Sequence, residues 1–120
     1  DLMLVGSDRS RYKFRDSAEY VEYRTDQALK NGCDGVIASG QNAKMLREKF
    51  GHEFLLICPG IRPGGDSTDD HKRASTPYQA ILDGADYIVV GRPIRNDKDP
   101  KAKAESIVRD IARAIQDRSQ

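Results

Sequence analysis

The sequence contains Phe54-Leu55-Leu56-Ile57-Cys58-Pro59-Gly60-Ile61-Arg62-Pro63, in which an apolar run is followed by proline, glycine and arginine. A second stretch, Tyr87-Ile88-Val89-Val90-Gly91-Arg92-Pro93, has a similar order. Both apolar runs are too short for a helix and have the length of a buried strand. The two stretches therefore predict two buried β-strands, each followed by glycine and arginine.

The rest of the chain alternates between short apolar runs and longer helical patterns, which is typical of βα units. Two further strands are predicted, from Leu2 to Val5 and from Gly35 to Ala38. Capping residues and apolar spacing predict four helices. They run from the Asp16 cap to about Lys30, from Ala43 to Phe50, from Thr76-Pro77 to about Leu82, and onward from Asp99-Pro100.

Four βα units in tandem predict an α/β fold that is half of an eight-stranded βα barrel, a TIM barrel. A weak internal repeat, Asn31 to Gly40 and Asp83 to Arg92, supports this fold class. A small open parallel sheet is the alternative, and the absence of a Gly-rich dinucleotide signature after any strand argues against a Rossmann-type binder. Because half a barrel has open strand edges, we expect it to pair with its missing half, to dimerise or to aggregate.

Composition narrows the classes of function. Charged residues make up 32% of the 120-residue chain and hydrophobic residues 38%, which is typical of a globular domain with a well-solvated surface. The net charge of +1 does not favour nucleic acid as a partner, and no apolar run approaches the ~18 residues of a membrane span. Because Asp1 directly precedes a predicted strand, we expect the chain to be a piece of a longer polypeptide.

The chain has two cysteines, Cys33 and Cys58, which lie beside and within predicted strands. We expect reduced thiols in or near the core of a cytoplasmic protein, because there is no C-x-x-C spacing. A disulfide or a metal site is the alternative, but only His52 and His71 are available as further ligands. We therefore expect no metal site.

The glycines and arginines after the predicted strands indicate a phosphate site. Glycine lets backbone N–H groups approach an oxyanion, and arginine supplies a forked, permanently charged donor. Arg62 and Arg92, with Gly91, are the residues that we expect to hold phosphate, although either arginine could instead be a surface ion-pair partner. A phosphorylated small molecule is the expected ligand class.

Several of these motifs resemble the orotidine 5′-monophosphate decarboxylase family. The resemblance is carried by Pro59 to Pro63, Asp70-His71-Lys72-Arg73, Ser75-Thr76-Pro77, Val90-Gly91-Arg92-Pro93-Ile94 and, upstream, Gly35 to Gly40. It is firm from about Asp34 to Ile94 and covers only the carboxyl-terminal half of such an enzyme. It implies decarboxylation of orotidine monophosphate to uridine monophosphate without a cofactor, in a cytoplasmic homodimer of whole barrels.

The resemblance also implies roles for individual residues. Gly91 and Arg92 would hold the substrate phosphate with help from Arg62, and Pro59 would shape the wall against the base. The loop from about Gly64 to Ser75 would be a lid, in which His71 stands where the family usually has glutamine, so that His71 is either an altered phosphate contact or a solvated loop residue. Ser7 and Ser39 would either donate to the pyrimidine base or act as ordinary strand-end or helix-cap serines.

The catalytic residues that the resemblance implies are absent from this chain. The family uses lysines and aspartates centred on an Asp-x-Lys-x-x-Asp motif, in which lysine protonates the carbanion that decarboxylation leaves. Asp70 to Ser75 and Asp99 to Ala104 both lack the second aspartate. We therefore expect no catalytic residue here, and no activity without an amino-terminal half. The alternatives are another sugar-phosphate barrel enzyme and a non-catalytic half-barrel that serves assembly.

Overall fold

The computed structural model describes residues 14–64 and 75–119. Within them, helices and strands alternate along the chain, and no helix is long and apolar enough to cross a membrane. In chain order the elements are α1 (Ser17–Lys30), β1 (Gly35–Ile37), a 3₁₀ helix (Gly40–Asn42), α2 (Ala43–Phe50), β2 (Leu55–Cys58), α3 (Pro77–Leu82), β3 (Tyr87–Ile88), α4 (Arg92–Arg95) and α5 (Pro100–Arg118). The predicted strand from Leu2 to Val5 lies outside the described residues.

The four predicted helices are confirmed as α1, α2, α3 and α5, because their ends are encoded locally. Asp16, Thr76 and Asp99 each accept a hydrogen bond from the backbone N–H three residues later, at 2.9, 3.1 and 3.1 Å. Proline directly follows Thr76 and Asp99, where its missing N–H costs no helical hydrogen bond. The short helix α4 and the 3₁₀ helix were not predicted.

The described strands form one parallel sheet in the order β1-β2-β3. Gly35 is opposite Leu55, and Ile57 is opposite Tyr87. The three predicted strands are confirmed, but β3 ends at Ile88 rather than at Val90. After Ile88, the Val89 N–H still donates to the Cys58 carbonyl at 3.0 Å, and the chain then continues to α4.

The two faces of this sheet have different environments. Side chains alternate between faces along a strand, and paired residues of parallel strands share a face. Val36, Leu56 and Cys58 face the helices and are buried. Four large apolar side chains on the opposite face are between 46% and 60% exposed, and we call them the open face: Ile37, Leu55, Tyr87 and Val89.

The core lies between the buried face of the sheet and the helices, and it includes Leu46, Leu56 and Ile81. Cys58 is also part of this core, and burial raises the pKa of its thiol to about 11. Both cysteines are free thiols, as predicted. The expectation that both lie in or near the core is wrong for Cys33, which is exposed in the turn between α1 and β1.

A buried arginine joins α2 to the amino-terminal ends of β2 and β3. The Arg47 guanidinium donates to the carbonyl oxygens of Gly51, Phe54 and Gly84 at 3.2, 2.8 and 2.9 Å. It also pairs with the Asp86 carboxylate at 2.6 Å. We call Arg47 with these four partners the Arg47 clamp. A buried guanidinium needs acceptors for its N–H groups, and the clamp supplies four of them from two segments of the chain, 51–54 and 84–86.

Two partners of Arg47 also fix the strands. Asp86, directly before β3, accepts a second hydrogen bond from the Leu56 N–H of β2 at 2.9 Å. Gly84 has a φ of 121°, and a Cβ atom at this position would lie 2.5 Å from Cγ of Arg47. Glycine is therefore required here both by the backbone conformation and by the room that Arg47 occupies.

Helix α5 is held against α3 by polar contacts at its carboxyl-terminal end. The Tyr78 hydroxyl donates to the Asp117 carboxylate. Arg118 donates to the carbonyl oxygens of Ile81 and Ala85 at 2.8 and 3.2 Å. Carbonyl groups at the end of a helix lack partners within the helix, and Arg118 supplies a donor to them at the end of α3. These contacts attach the last helix of the chain to α3 and to the residues before β3.

Candidate functional site

A pocket of about 270 Å³ lies where the segments after β2 and β3 meet. The carboxyl ends of parallel strands reach the same edge of a sheet, and here the Ile61 N–H approaches the Val89 carbonyl at 3.4 Å. We call this site the arginine pocket, because three arginines line it. Its lining residues include Gly60, Arg62, Val89, Gly91, Arg92 and Arg95. In βα barrels this end of the sheet carries the working groups.

The segment after β2 brings Arg62 to the pocket. Gly60 has a φ of 69°, in the left-handed region that glycine adopts at little cost, and it turns the chain at the strand end. Ile61 is buried in the core and anchors this turn, while Arg62 is half-buried. The Arg62 N–H donates to the Ser75 carbonyl at 3.0 Å, which ties the segment to the residues before α3.

The segment after β3 brings two arginines to the same pocket. The Gly91 carbonyl accepts hydrogen bonds from the N–H groups of Ile94 and Arg95, each at 3.0 Å, and so forms the single turn of α4. Arg92 and Arg95 are three residues apart, a spacing that puts side chains on the same side of a helical turn. A Cβ atom at Gly91 would have no heavy atom within 4 Å, so this residue faces open space.

The pocket carries concentrated positive charge. Guanidinium groups remain charged throughout the physiological pH range. Within the described parts of the chain, neither Arg62 nor Arg95 has a carboxylate within ion-pair distance. Three arginines line this one pocket, and two of them have no such partner among the described residues, so the pocket is suited to an anionic ligand with several acceptor oxygens, such as a phosphate.

The other residues singled out from the sequence have different positions. Ser39 follows β1, and its Oγ accepts the Gln41 N–H at 3.2 Å, which caps the 3₁₀ helix. Pro59 is half-buried at the end of β2, next to the pocket-lining Gly60. Ser7 and His71 lie outside the described residues, as does the predicted lid loop between Gly64 and Ser75, so their roles stay predictions.

The sequence did not indicate Arg95 and Val89 as lining residues of the pocket. Arg95 belongs to a helix of only four residues, which is too short to show a periodic pattern. The spacing of three between Arg92 and Arg95 was the available signal. This spacing places the two arginines on one side only if the residues after Gly91 form a helical turn.

A larger pocket of about 460 Å³ lies between α1 and α2, but its charges are compensated. Among its lining residues, Glu19 pairs with Arg15 at 2.9 Å and Glu22 with Lys49 at 3.6 Å. Hydrogen bonds from the backbone and side chain of Arg15 hold the pKa of Glu19 below its usual value. Its third carboxylate, Asp26, pairs with Lys30 at 2.9 Å, so each carboxylate that lines this pocket has a cationic partner.

The strand ends around the arginine pocket carry no lysine or carboxylate in the segments 38–42, 59–64 and 89–95. One of the incomplete Asp-x-Lys motifs has a structural role, because Asp99 caps α5. The other begins at Asp70, outside the described residues. The described strand ends thus offer arginine side chains, glycine N–H groups and small polar side chains.

Known proteins with similar sequences belong to the family that the sequence motifs resemble. The sequence profile of the "Orotidine 5'-phosphate decarboxylase / HUMPS family" matches residues 5–107. The chain is 48% identical over 120 residues to an orotidine 5′-phosphate decarboxylase of Xanthomonas oryzae pv. oryzae (strain PXO99A), with 99% of this chain and 47% of the relative covered. It is 48% identical to one of Stenotrophomonas maltophilia (strain K279a), with 96% and 45% covered.

Solved structures agree with the sequence relatives. The crystal structure of orotidine 5′-phosphate decarboxylase from Lactobacillus acidophilus matches with a TM-score of 0.70 and 37% identity, over 92% of this chain and 46% of that one. The enzyme from Pyrococcus horikoshii matches with a TM-score of 0.59 and 28% identity, over 76% and 41%.

The chain therefore spans slightly less than half the length of these relatives. Its parallel sheet with intervening helices is half of a TIM barrel, as the sequence predicted. The chain belongs to the orotidine 5′-phosphate decarboxylase / HUMPS family.

Proposed function

We propose that this chain supplies the phosphate-binding half of an enzyme that decarboxylates orotidine 5′-monophosphate to uridine 5′-monophosphate in pyrimidine biosynthesis. The observation that carries this proposal is the arginine pocket, in which Arg62 and Arg92 line one site at the ends of neighbouring strands. The names of its relatives supply the reaction, and the positive charges of Arg62 and Arg95, which have no ion-pair partner among the described residues, support a phosphorylated ligand.

In this proposal the substrate phosphate lies in the arginine pocket. Arg92 and Arg62 donate charge-assisted hydrogen bonds to its oxygens, and the open space at Gly91 admits the phosphate to the backbone N–H groups. Pro59 and Ser39, at the ends of β2 and β1, lie on the side where the nucleoside would extend. The Ser39 oxygen already accepts one N–H group, but its hydroxyl proton remains available to a base.

The chemical step needs groups from outside this chain. Loss of CO₂ leaves a carbanion on the pyrimidine ring, which must receive a proton from a lysine held by aspartates. The strand ends of this chain provide no such set, so we propose that an amino-terminal half supplies it. The open face would pack against that half, since its exposed Leu55 and Tyr87 lie on the concave side of a closed barrel.

The proposal is tested by following the loss of orotidine monophosphate absorbance. We expect no turnover by this chain alone and turnover when it is combined with the amino-terminal half of the Xanthomonas oryzae relative. In the combined enzyme, Arg92→Gln should raise KM roughly 10- to 100-fold, as expected for losing a charge-assisted hydrogen bond. Arg109→Gln removes the same charge from an exposed position on α5 and should leave KM unchanged.

The other outcomes separate the alternatives. Turnover of a different sugar phosphate, with none of orotidine monophosphate, would assign another reaction to the same site. A combined barrel that forms but binds no nucleotide would contradict the proposal and favour a half-barrel that serves assembly. An unchanged KM in Arg92→Gln would move the phosphate to a different site.

A further inference from the structure

Arg95 is the lining residue of the arginine pocket that the proposed reaction leaves without a role. It is exposed, it lies at the end of α4, and no described carboxylate pairs with it. A surface arginine without a partner is ordinary by itself. Arg95 differs because it lines the same 270 Å³ pocket as Arg62 and Arg92.

The position of Arg95 is fixed by the backbone. Its N–H group donates to the Gly91 carbonyl at 3.0 Å, and Asn96 N–H donates to the Arg92 carbonyl at 2.9 Å. These bonds place Arg92 and Arg95 on one turn, so a ligand that reaches Arg92 also lies in the field of Arg95. The end of this turn is closed further by the Asp97 N–H, which donates to the Ile94 carbonyl at 3.2 Å.

We propose that Arg95 is a third anion-binding residue of the arginine pocket and makes it select phosphate monoesters in their dianionic form. This inference rests on the proposed phosphate site. The Coulomb attraction of a cation to a ligand is proportional to the ligand's charge, so a third cation strengthens the binding of a dianion about twice as much as that of a monoanion. A monoester whose second pKa lies near ~6 is a dianion at neutral pH.

The test compares two ligands that differ by one charge. The probes are uridine 5′-monophosphate and its phosphate monomethyl ester, titrated by calorimetry into the 120-residue chain at about pH 7.5, where the first is a dianion and the second a monoanion. The quantity measured is the ratio of the two dissociation constants. We expect Arg95→Gln to lower the preference for the dianion by roughly fivefold, the effect of one screened charge pair.

Three further variants serve as controls for Arg95→Gln. Arg95→Lys keeps the charge and should retain most of the preference, whereas Arg109→Gln, a matched charge loss on α5, should retain all of it. Arg92→Gln should weaken both ligands. Circular dichroism of each variant shows whether the helices are intact, so that a fold defect is not taken for a loss of selectivity.

The failures of the two proposals are distinguishable. If Arg92→Gln weakens binding but Arg95→Gln has the same ratio as Arg109→Gln, the inference about Arg95 is wrong and the phosphate site stands. If Arg92→Gln changes nothing, or the unaltered chain binds neither probe at millimolar concentration, the phosphate site itself is wrong, and the inference falls with it.

Discussion

Two threonines show how the same side chain has opposite energetic roles in different places. Thr25 on α1 is fully buried, and its hydroxyl oxygen has no hydrogen-bond partner among the described residues. Thr76 precedes α3, and its hydroxyl oxygen accepts the Gln79 N–H at 3.1 Å as the helix cap. A buried hydroxyl without a partner costs free energy, whereas a capping hydroxyl stabilises the helix.

The same substitution should therefore have opposite effects at the two positions. Thr25→Val replaces the buried hydroxyl with a methyl group of similar size and should raise the free energy of unfolding by about 1 kcal/mol. Thr76→Val removes the cap and should lower it by about 1 kcal/mol. Urea denaturation of both variants at one protein concentration measures the two changes, and changes of equal sign would contradict these assignments.

The positions of residues were predictable where the segment around each residue encodes them. Arg62 and Arg92 follow buried strands, and the rule that parallel strand ends meet was enough to predict that they lie together. The position of Arg95 depends on the turn of α4, and a helix of four residues is too short to be predicted from its sequence pattern. Ser39 had two possible roles in the sequence, and its contact with Gln41 establishes the capping one while leaving a role towards the base untested.

At the scale of elements, the Arg47 clamp is the main interaction that no local pattern predicts. It joins α2 to residues next to β2 and β3, and Asp86 lies 39 positions beyond Arg47 in the sequence. The helix caps, by contrast, join residues three apart. Helix ends were therefore predictable from sequence, and the packing of α2 onto the sheet was not.

Breaking the Arg47 clamp should destabilise the fold strongly. Arg47→Met leaves three carbonyl oxygens and the Asp86 carboxylate without their donor, and we expect the free energy of unfolding to fall by about 3 kcal/mol or more. Arg47→Lys should lose most of the same energy, since an ammonium group lacks the fork that reaches several acceptors. Urea denaturation followed by circular dichroism measures both.

The matched control for this prediction is Arg109→Met, which makes the same substitution at an exposed position of α5. It should change the free energy of unfolding by less than about 0.5 kcal/mol. A loss below about 1 kcal/mol in Arg47→Met would show that water replaces the guanidinium in the clamp, and that the clamp contributes little to stability.

At the scale of the whole molecule, the open face is the feature that determines behaviour in solution. Ile37, Leu55, Tyr87 and Val89 form an apolar surface on a sheet whose other face is already packed. Burying such a surface is favourable, so we expect the isolated chain to self-associate as its concentration rises. Analytical ultracentrifugation over a range of concentrations measures this.

Substitution of the open face identifies the contact. Leu55→Lys with Tyr87→Lys should shift association to higher concentration by at least about tenfold, because two charges would have to be buried. The matched control, Ala112→Lys with Gln116→Lys, adds lysines at exposed positions of α5. Equal effects of the two pairs would place the contact elsewhere, and a monomer at every concentration would contradict the prediction.

The half-barrel architecture was predictable because each βα unit carries its own signals, and the chain repeats them. The partner that completes the barrel was predictable only in outline, from the open edges of a half barrel. Which residues meet across that boundary depends on a surface that this sequence does not contain. The homodimer of whole barrels remains a prediction for the same reason.

The parallel sheet has one more consequence, which concerns synthesis on the ribosome. Gly35 pairs with Leu55 and Ile57 with Tyr87, so each strand contacts a partner only a few tens of residues away. A nascent chain can therefore dock β2 onto β1 before β3 has been translated, and each later unit adds to a surface that already exists. Because the arginines that follow β2 and β3 come from successive units, the pocket between them is completed only when the last unit docks.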